Sequence, residues 1–122
     1  MTIKVGRAYD PATAAHGYRI LVDRLWPRGI SQEKADVGLW LRDIAPSSAL
    51  RTWFGHRVER WPEFRERYRR ELGEHGDLLD LIRDIEQHRG TVTLLFGARD
   101  VEHNEAQVLL EVLRDHPKHV HH

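Results

Sequence analysis

The stretch Thr91-Val92-Thr93-Leu94-Leu95-Phe96-Gly97-Ala98-Arg99-Asp100 (TVTLLFGARD) decides the fold. Its first six residues are apolar or threonine, with no charged side chain among them. A strand with one face in water alternates apolar and polar residues, whereas a strand covered on both faces, as in a parallel sheet, is apolar almost throughout. Gly97 ends the run, and Asp100 is placed to cap the helix that follows. That helix carries Ala106, Leu109, Leu110 and Leu113 at three-and-four spacing, which puts them on one face. A buried strand, a loop and an amphipathic helix in direct succession form one arm of an α/β domain.

Working outward, Tyr18 to Trp26 reads as a second strand around the apolar core Ile20-Leu21-Val22, ended by Pro27 and Gly29. Ile3 to Val5 is a short first strand, and Asp10-Pro11 opens a loop of small residues through Gly17. Ser31 is placed to cap a helix over Gln32 to Ala35, while Val37, Leu39 and Leu41 alternate in a pattern that admits strand or helix. Ser47 or Ser48 opens a brief helix to Phe54, closed by Gly55. Pro62 occupies a favoured first helical position, and Trp61, Phe64, Tyr68 and Leu72 line one face of the helix it starts. Asp77 is placed to cap the next helix, which would bury Leu78, Leu81, Ile82 and Ile85 and stop at Gly90. Helices between apolar strands predict an α/β fold: a small single domain over residues 1–115, with a mostly parallel sheet and helices packed on both faces. Residues 116–122 form a His-rich C-terminal tail, read as an adventitious metal binder, not a working site.

Composition narrows the function. The chain has 122 residues, 40% of them hydrophobic and 31% charged, which fits one globular domain. No apolar run approaches the roughly 18 residues of a spanning helix, and MTIKVGRAYD lacks the layout of a secretory signal. The expectation is a cytoplasmic protein with no membrane association. The absence of cysteine excludes disulfides, thiolate nucleophiles and cysteine-ligated zinc. Lys+Arg and Asp+Glu are both 19, so the formal net charge is zero and the chain lacks the positive excess that drives nonspecific nucleic-acid binding. Of the 19 basic residues, 16 are Arg and 3 are Lys.

In open α/β sheets the ligand crevice lies beyond the carboxyl ends of the strands. The second strand ends in Asp23, Arg24, Trp26, Arg28 and Gly29. The later strand ends in Arg99 and Asp100, and its helix opens with Glu102, His103 and Asn104. Parallel strands would bring both clusters to one rim, beside Arg7, Tyr9 and Asp10. Guanidinium groups there suit a phosphate or carboxylate, which they bind through charge-assisted bidentate hydrogen bonds. Arg24, Arg28 and Arg99 are candidate anion ligands, with Gly29 and Gly97 allowing close approach, and His56 a further ligand-binding candidate. His103 and Asp100 are the candidate proton-transfer pair, with Asn104 orienting ligand or histidine. The competing reading is that Asp23–Arg99 or Arg24–Asp100 pairs simply tie the strand ends together. A small anionic ligand is thus expected, with metal-independent hydrolysis or group transfer as the fitting chemistry. No metal-ligand spacing, glycine-rich cofactor fingerprint, P-loop or nucleophile elbow is present, so no metal or cofactor is expected. The alternative is a non-enzymatic module that binds protein or nucleic acid through the arginine-rich helix around Arg65 and Arg69.

The words RILVDRLWPRGIS, LWLRDIAPS, WFGH, W-x-x-F-x-x-R-Y and TLLFGARDVEHNEA, in that order, resemble the YeaO-like branch of the DUF 488 family, a bacterial domain of unknown function. The resemblance runs from about Ile3 to Leu113. It implies a small α/β protein and picks out Arg24, Pro27, Arg28, Gly29, Pro46, Trp53, Phe54, His56, Asp100, His103 and Asn104. It implies no established activity.

Overall fold

The computed structural model describes residues 2–115, so the predicted His-rich tail over 116–122 lies outside the described residues. Four strands, β1 (Thr2–Arg7), β2 (Tyr18–Leu21), β3 (Leu39–Trp40) and β4 (Thr91–Phe96), form one sheet in the order β1-β4-β2-β3. Every pairing is parallel. The fold is the expected α/β single domain. The most apolar strand, β4, lies inside the sheet between β1 and β2, where both its faces are covered. The ambiguous segment after Val37 forms the edge strand β3, and β2 is shorter than predicted. Its ladder ends as Asp23 turns its carboxylate toward Gly97.

The helices are α1 (Gln32–Ala35), α2 (Ser48–Phe54), α3 (Trp61–Leu72), α4 (Gly76–Arg89) and α5 (Glu105–Asp115). Helices α2 to α5 supply the core on one sheet face, where Ile20, Val22, Val92, Leu94 and Phe96 meet Phe54, Phe64, Tyr68, Ile82 and Leu109. Tyr68 anchors this layer, its hydroxyl donating to Ile44 O at 2.7 Å. Helical cover is unequal on the two faces. The second face holds Leu21 and Leu95 under Trp26 and Trp40. Beside them lie the buried polar residues Arg19 and Thr93. The Arg19 guanidinium donates to Ala35 O in α1 (2.9 Å) and Asp10 O (3.2 Å), and contacts His16 Nδ1 at 2.6 Å. Thr93 Oγ1 donates to His16 O at 2.7 Å. Polar side chains therefore fasten a loop and a single helical turn where a longer helix is absent.

Local sequence signals mostly set the helix ends. Ser31 accepts from Lys34 N and caps α1, and Ser47, not Ser48, caps α2 while also donating to Glu71 of α3. Two expected caps fall elsewhere. Helix α4 starts at Gly76, which leaves Asp77 inside the first turn, where its charge still opposes the helix dipole favourably. Asn104, not Asp100, accepts from Gln107 N at the start of α5. In α4 Leu79 is buried and Leu81 is exposed, because the helix turns its Leu79–Ile82 edge toward the sheet.

Gly17 shows how closely the loop on the second face approaches the sheet. It has φ 63°, and a Cβ there would lie 2.3 Å from Thr91 O. Gly17→Ala is expected to lower stability by more than about 1 kcal/mol in urea unfolding, since it adds both strain and a clash. An unchanged midpoint would show that the loop is not held as described.

Candidate functional site

The carboxyl ends of β1, β4 and β2 finish at one rim. Ala8 N donates to Phe96 O at 2.8 Å and Val22 N to Leu95 O at 3.1 Å, continuing the ladders as the chains leave the sheet. Asp23 joins two of these ends: its Oδ2 accepts from Gly97 N at 2.8 Å, while its own carbonyl accepts from Trp40 Nε1 at 2.7 Å. A Cβ on Gly97 would come 2.9 Å from that Oδ2. The glycine thus makes room for Asp23, and it also lines the cavity beside it.

The segment Asp23 to Gly29 then forms a loop over the sheet edge. Trp26 Nε1 donates to Ile30 O at 2.7 Å, and its ring meets Trp40 edge-on with centroids 5.6 Å apart. Tyr9 donates its hydroxyl to Arg28 O at 2.8 Å, pinning the loop to the end of β1. Those contacts account for the tryptophan of the stretch.

Beneath this loop is a cavity of about 370 Å³. Its polar lining comprises Asp23, Arg24, Arg28, Arg51, His56, His103, Asn104 and Glu105, and its apolar wall includes Pro27, Phe54 and Phe64. Of the predicted site residues, Arg24, Arg28, His56, His103 and Asn104 converge here. Arg24 is held in place by donating to Pro46 O (3.2 Å) and Ala45 O (3.3 Å). The Arg28 and Arg51 guanidiniums make no hydrogen bond or close ion pair among the described residues. Gly29, Arg99 and Asp100 do not line the cavity. Neither Asp23–Arg99 nor Arg24–Asp100 forms, since Asp23 serves Gly97 and Arg24 serves the loop carbonyls.

Asp100 stands behind His103. Its Oδ1 accepts from Glu102 N (2.9 Å) and His103 N (3.0 Å), and its Oδ2 lies 2.9 Å from His103 Nδ1. The backbone bond from Glu102, then that from His103, holds the Asp100 carboxyl below its ordinary range. With Nδ1 engaged, His103 keeps Nε2 for proton exchange, and Trp61 steadies the ring by an edge contact at 5.2 Å. Asn104 is buried with both ends of its amide used, donating to Asp100 O and capping α5.

Two charged lining residues were not foreseen, Arg51 and Glu105. Arg51 reads in sequence as an ordinary basic residue in the last turn of α2, and Glu105 as an acidic residue in the first turn of a helix, so neither had a local signal. Burial, followed by a hydrogen bond with Asp23, holds the Glu105 carboxyl well above the usual carboxylate range. Two carboxyl groups can share a hydrogen bond only if one keeps its proton. The cavity therefore contains a carboxyl pair beside three guanidiniums.

The arginines of α3 are engaged elsewhere. Arg65 pairs with Glu111 (2.7 Å), Arg69 with Glu111 and Asp115 (3.3 Å each), and Arg67 with Glu63. They seal α3 to α5. No group of potential metal ligands occurs among the described residues, and no helix among them is long and apolar enough to cross a membrane.

Fold and site together define a small parallel α/β protein with a polar cavity at its strand ends. The chain belongs to the DUF488 family: residues 2–121 match the group described as "Inactive DUF488-N3 subclade". It is 42% identical to the uncharacterised protein YeaO of Escherichia coli K12 over 114 residues, covering 93% of this chain and 98% of that one. It is 39% identical to an uncharacterised protein of Mycobacterium tuberculosis H37Rv over 111 residues, covering 91% and 92% respectively. An uncharacterised Mycobacterium bovis protein matches to the same extent, 39% over 111 residues. No solved structure matches the chain significantly.

The raised Glu105 fixes the sign of a pH effect. The folded state keeps a proton that the unfolded chain releases above about pH 4.5, so this contribution to stability is full below that value and is lost as pH rises through the folded pKa. Glu105→Gln removes the titration and keeps a hydrogen-bond donor. Its stability relative to the parent is expected to rise between about pH 5 and pH 8 in urea unfolding. A constant difference across that range would contradict the shared proton.

Proposed function

We propose that this is a cytoplasmic binding protein for a small phosphorylated or carboxylated ligand held in the rim cavity. The observation that carries the reading is that Arg28 and Arg51, neither held by a hydrogen bond or close ion pair among the described residues, line a space that Arg24 borders in a fixed pose. Glu105 lies in the field of Arg51. Guanidiniums without internal hydrogen bonds are poised to form charge-assisted bonds with an incoming oxyanion. A volume of about 370 Å³ falls within the range of small-molecule sites. A cysteine-free chain agrees with a reducing compartment.

The His103–Asp100 pair is the group that a metal-independent hydrolase or transferase would use for proton transfer. Binding without turnover is nevertheless the preferred reading. No Ser, Thr, Cys or Lys lines the cavity to act as a nucleophile, and the subclade is described as inactive. The ion pairs of Arg65 and Arg69 weigh against a binding surface on α3.

The test is thermal unfolding with millimolar inorganic phosphate. The parent protein is expected to be stabilised as phosphate saturates the cavity. The Arg28→Ala/Arg51→Ala variant is expected to keep its ligand-free midpoint within about 3 °C and to lose the phosphate response. No response in the parent, or an equal one in both proteins, would refute the reading.

A further inference from the structure

Resting on that binding reading, we propose that the cavity is balanced for a phosphate monoester dianion on a small organic body, in preference to a carboxylate or a phosphodiester. The lining holds three guanidiniums, those of Arg24, Arg28 and Arg51. Against them stand the carboxyls of Asp23 and Glu105. Burial, then a hydrogen bond with Asp23, holds Glu105 well above the usual carboxylate range, so the two together offset fewer than two of those charges. The guanidiniums therefore outweigh the carboxyls by more than one charge. A monoester near neutral pH carries close to two negative charges, whereas a carboxylate or a diester carries one.

The shape of the donors agrees with the charge. A carboxylate presents two coplanar oxygens, which one bidentate guanidinium satisfies. A monoester presents three terminal oxygens in a tetrahedral array and can engage guanidiniums arriving from separate elements. Arg28 comes from the loop after β2 and Arg51 from α2, so the two approach from different parts of the chain. Bare phosphate would leave most of the space unfilled. Phe54 and Phe64, stacked with centroids 4.3 Å apart, and Pro27 give the remaining volume an apolar wall. That wall suits the carbon portion of a small ester.

The carboxyl pair also has a reason to stay in place beside an anion. Asp23 is bound to the Gly97 amide at 2.8 Å and cannot swing away without breaking the tie between strand ends. Its carboxylate is thereby a fixed part of the site, and the raised Glu105 beside it opposes the guanidiniums less than a second full charge would.

The experiment is calorimetric titration near neutral pH with three probes that share one body: phenyl phosphate, its methyl diester and benzoate. The parent protein is expected to bind phenyl phosphate at least about tenfold more tightly than either monoanion, the scale of one additional charge-assisted hydrogen bond. Arg51→Ala, a change at an exposed helix position, is expected to shrink that preference to less than about threefold while the ligand-free thermal midpoint holds. Equal binding of all three probes would overturn this inference and leave the anion-binding reading standing. Failure of all three to bind would overturn both. A preference that survives loss of Arg51 would show that the charge balance is not its cause.

Discussion

The hydrogen bond from the Gly97 amide to the Asp23 carboxylate is the constraint on which the site depends. It fixes the end of β4 to the chain leaving β2, at the level where the sheet stops. From the same residue, the Asp23 carbonyl receives Trp40 and the Asp23 carboxyl meets Glu105 at the start of α5. One short acidic side chain thus joins two strand ends and a helix, and the cavity is the space that this junction leaves open. A single bonded carboxylate of this kind costs desolvation, which the amide donor and the shared proton offset.

The two faces of the sheet divide the work. One is a layer of aliphatic and aromatic side chains under four helices, and it supplies the stability expected of a domain this size. The other is fastened by polar contacts around Arg19, Thr93 and His16, with Trp26, Trp40 and Val37 as apolar cover. Rim residues are recruited from both sides, so the site is supported by a rigid layer on one side and a hydrogen-bonded loop on the other. The arginines follow the same division. Arg65 and Arg69 fasten α3 to α5, while Arg24, Arg28 and Arg51 line the cavity.

Much of this was legible in the sequence because it is written locally. The unbroken apolar run of Thr91 to Phe96 requires cover on two faces, and a parallel strand inside the sheet provides it. Parallel strands then imply a common rim, which brought Arg24, Arg28, His103 and Asn104 into one cavity, where His56 joins them from the end of α2. The rest was hidden because it is decided by distance in space. Arg51 and Glu105 are ordinary helix-end residues until the fold brings them together. Arg99 and Asp100 follow the strand directly, yet the turn at Gly97, committed to Asp23, carries them outside the lining. Caps shifted for the same reason: Asp100 bonds to the amides of Glu102 and His103 in its own turn, leaving Asn104 to start the helix.

The most direct test of the central claim is a crystal structure grown with tungstate, a heavy tetrahedral oxyanion located by its anomalous signal. The account predicts a peak inside the rim cavity, with the guanidiniums of Arg28 and Arg51 as ligands and the Asp23–Gly97 bond intact. A cavity without tungstate in crystals that bind it elsewhere, or arginines found already occupied by carboxylates of the protein, would contradict it.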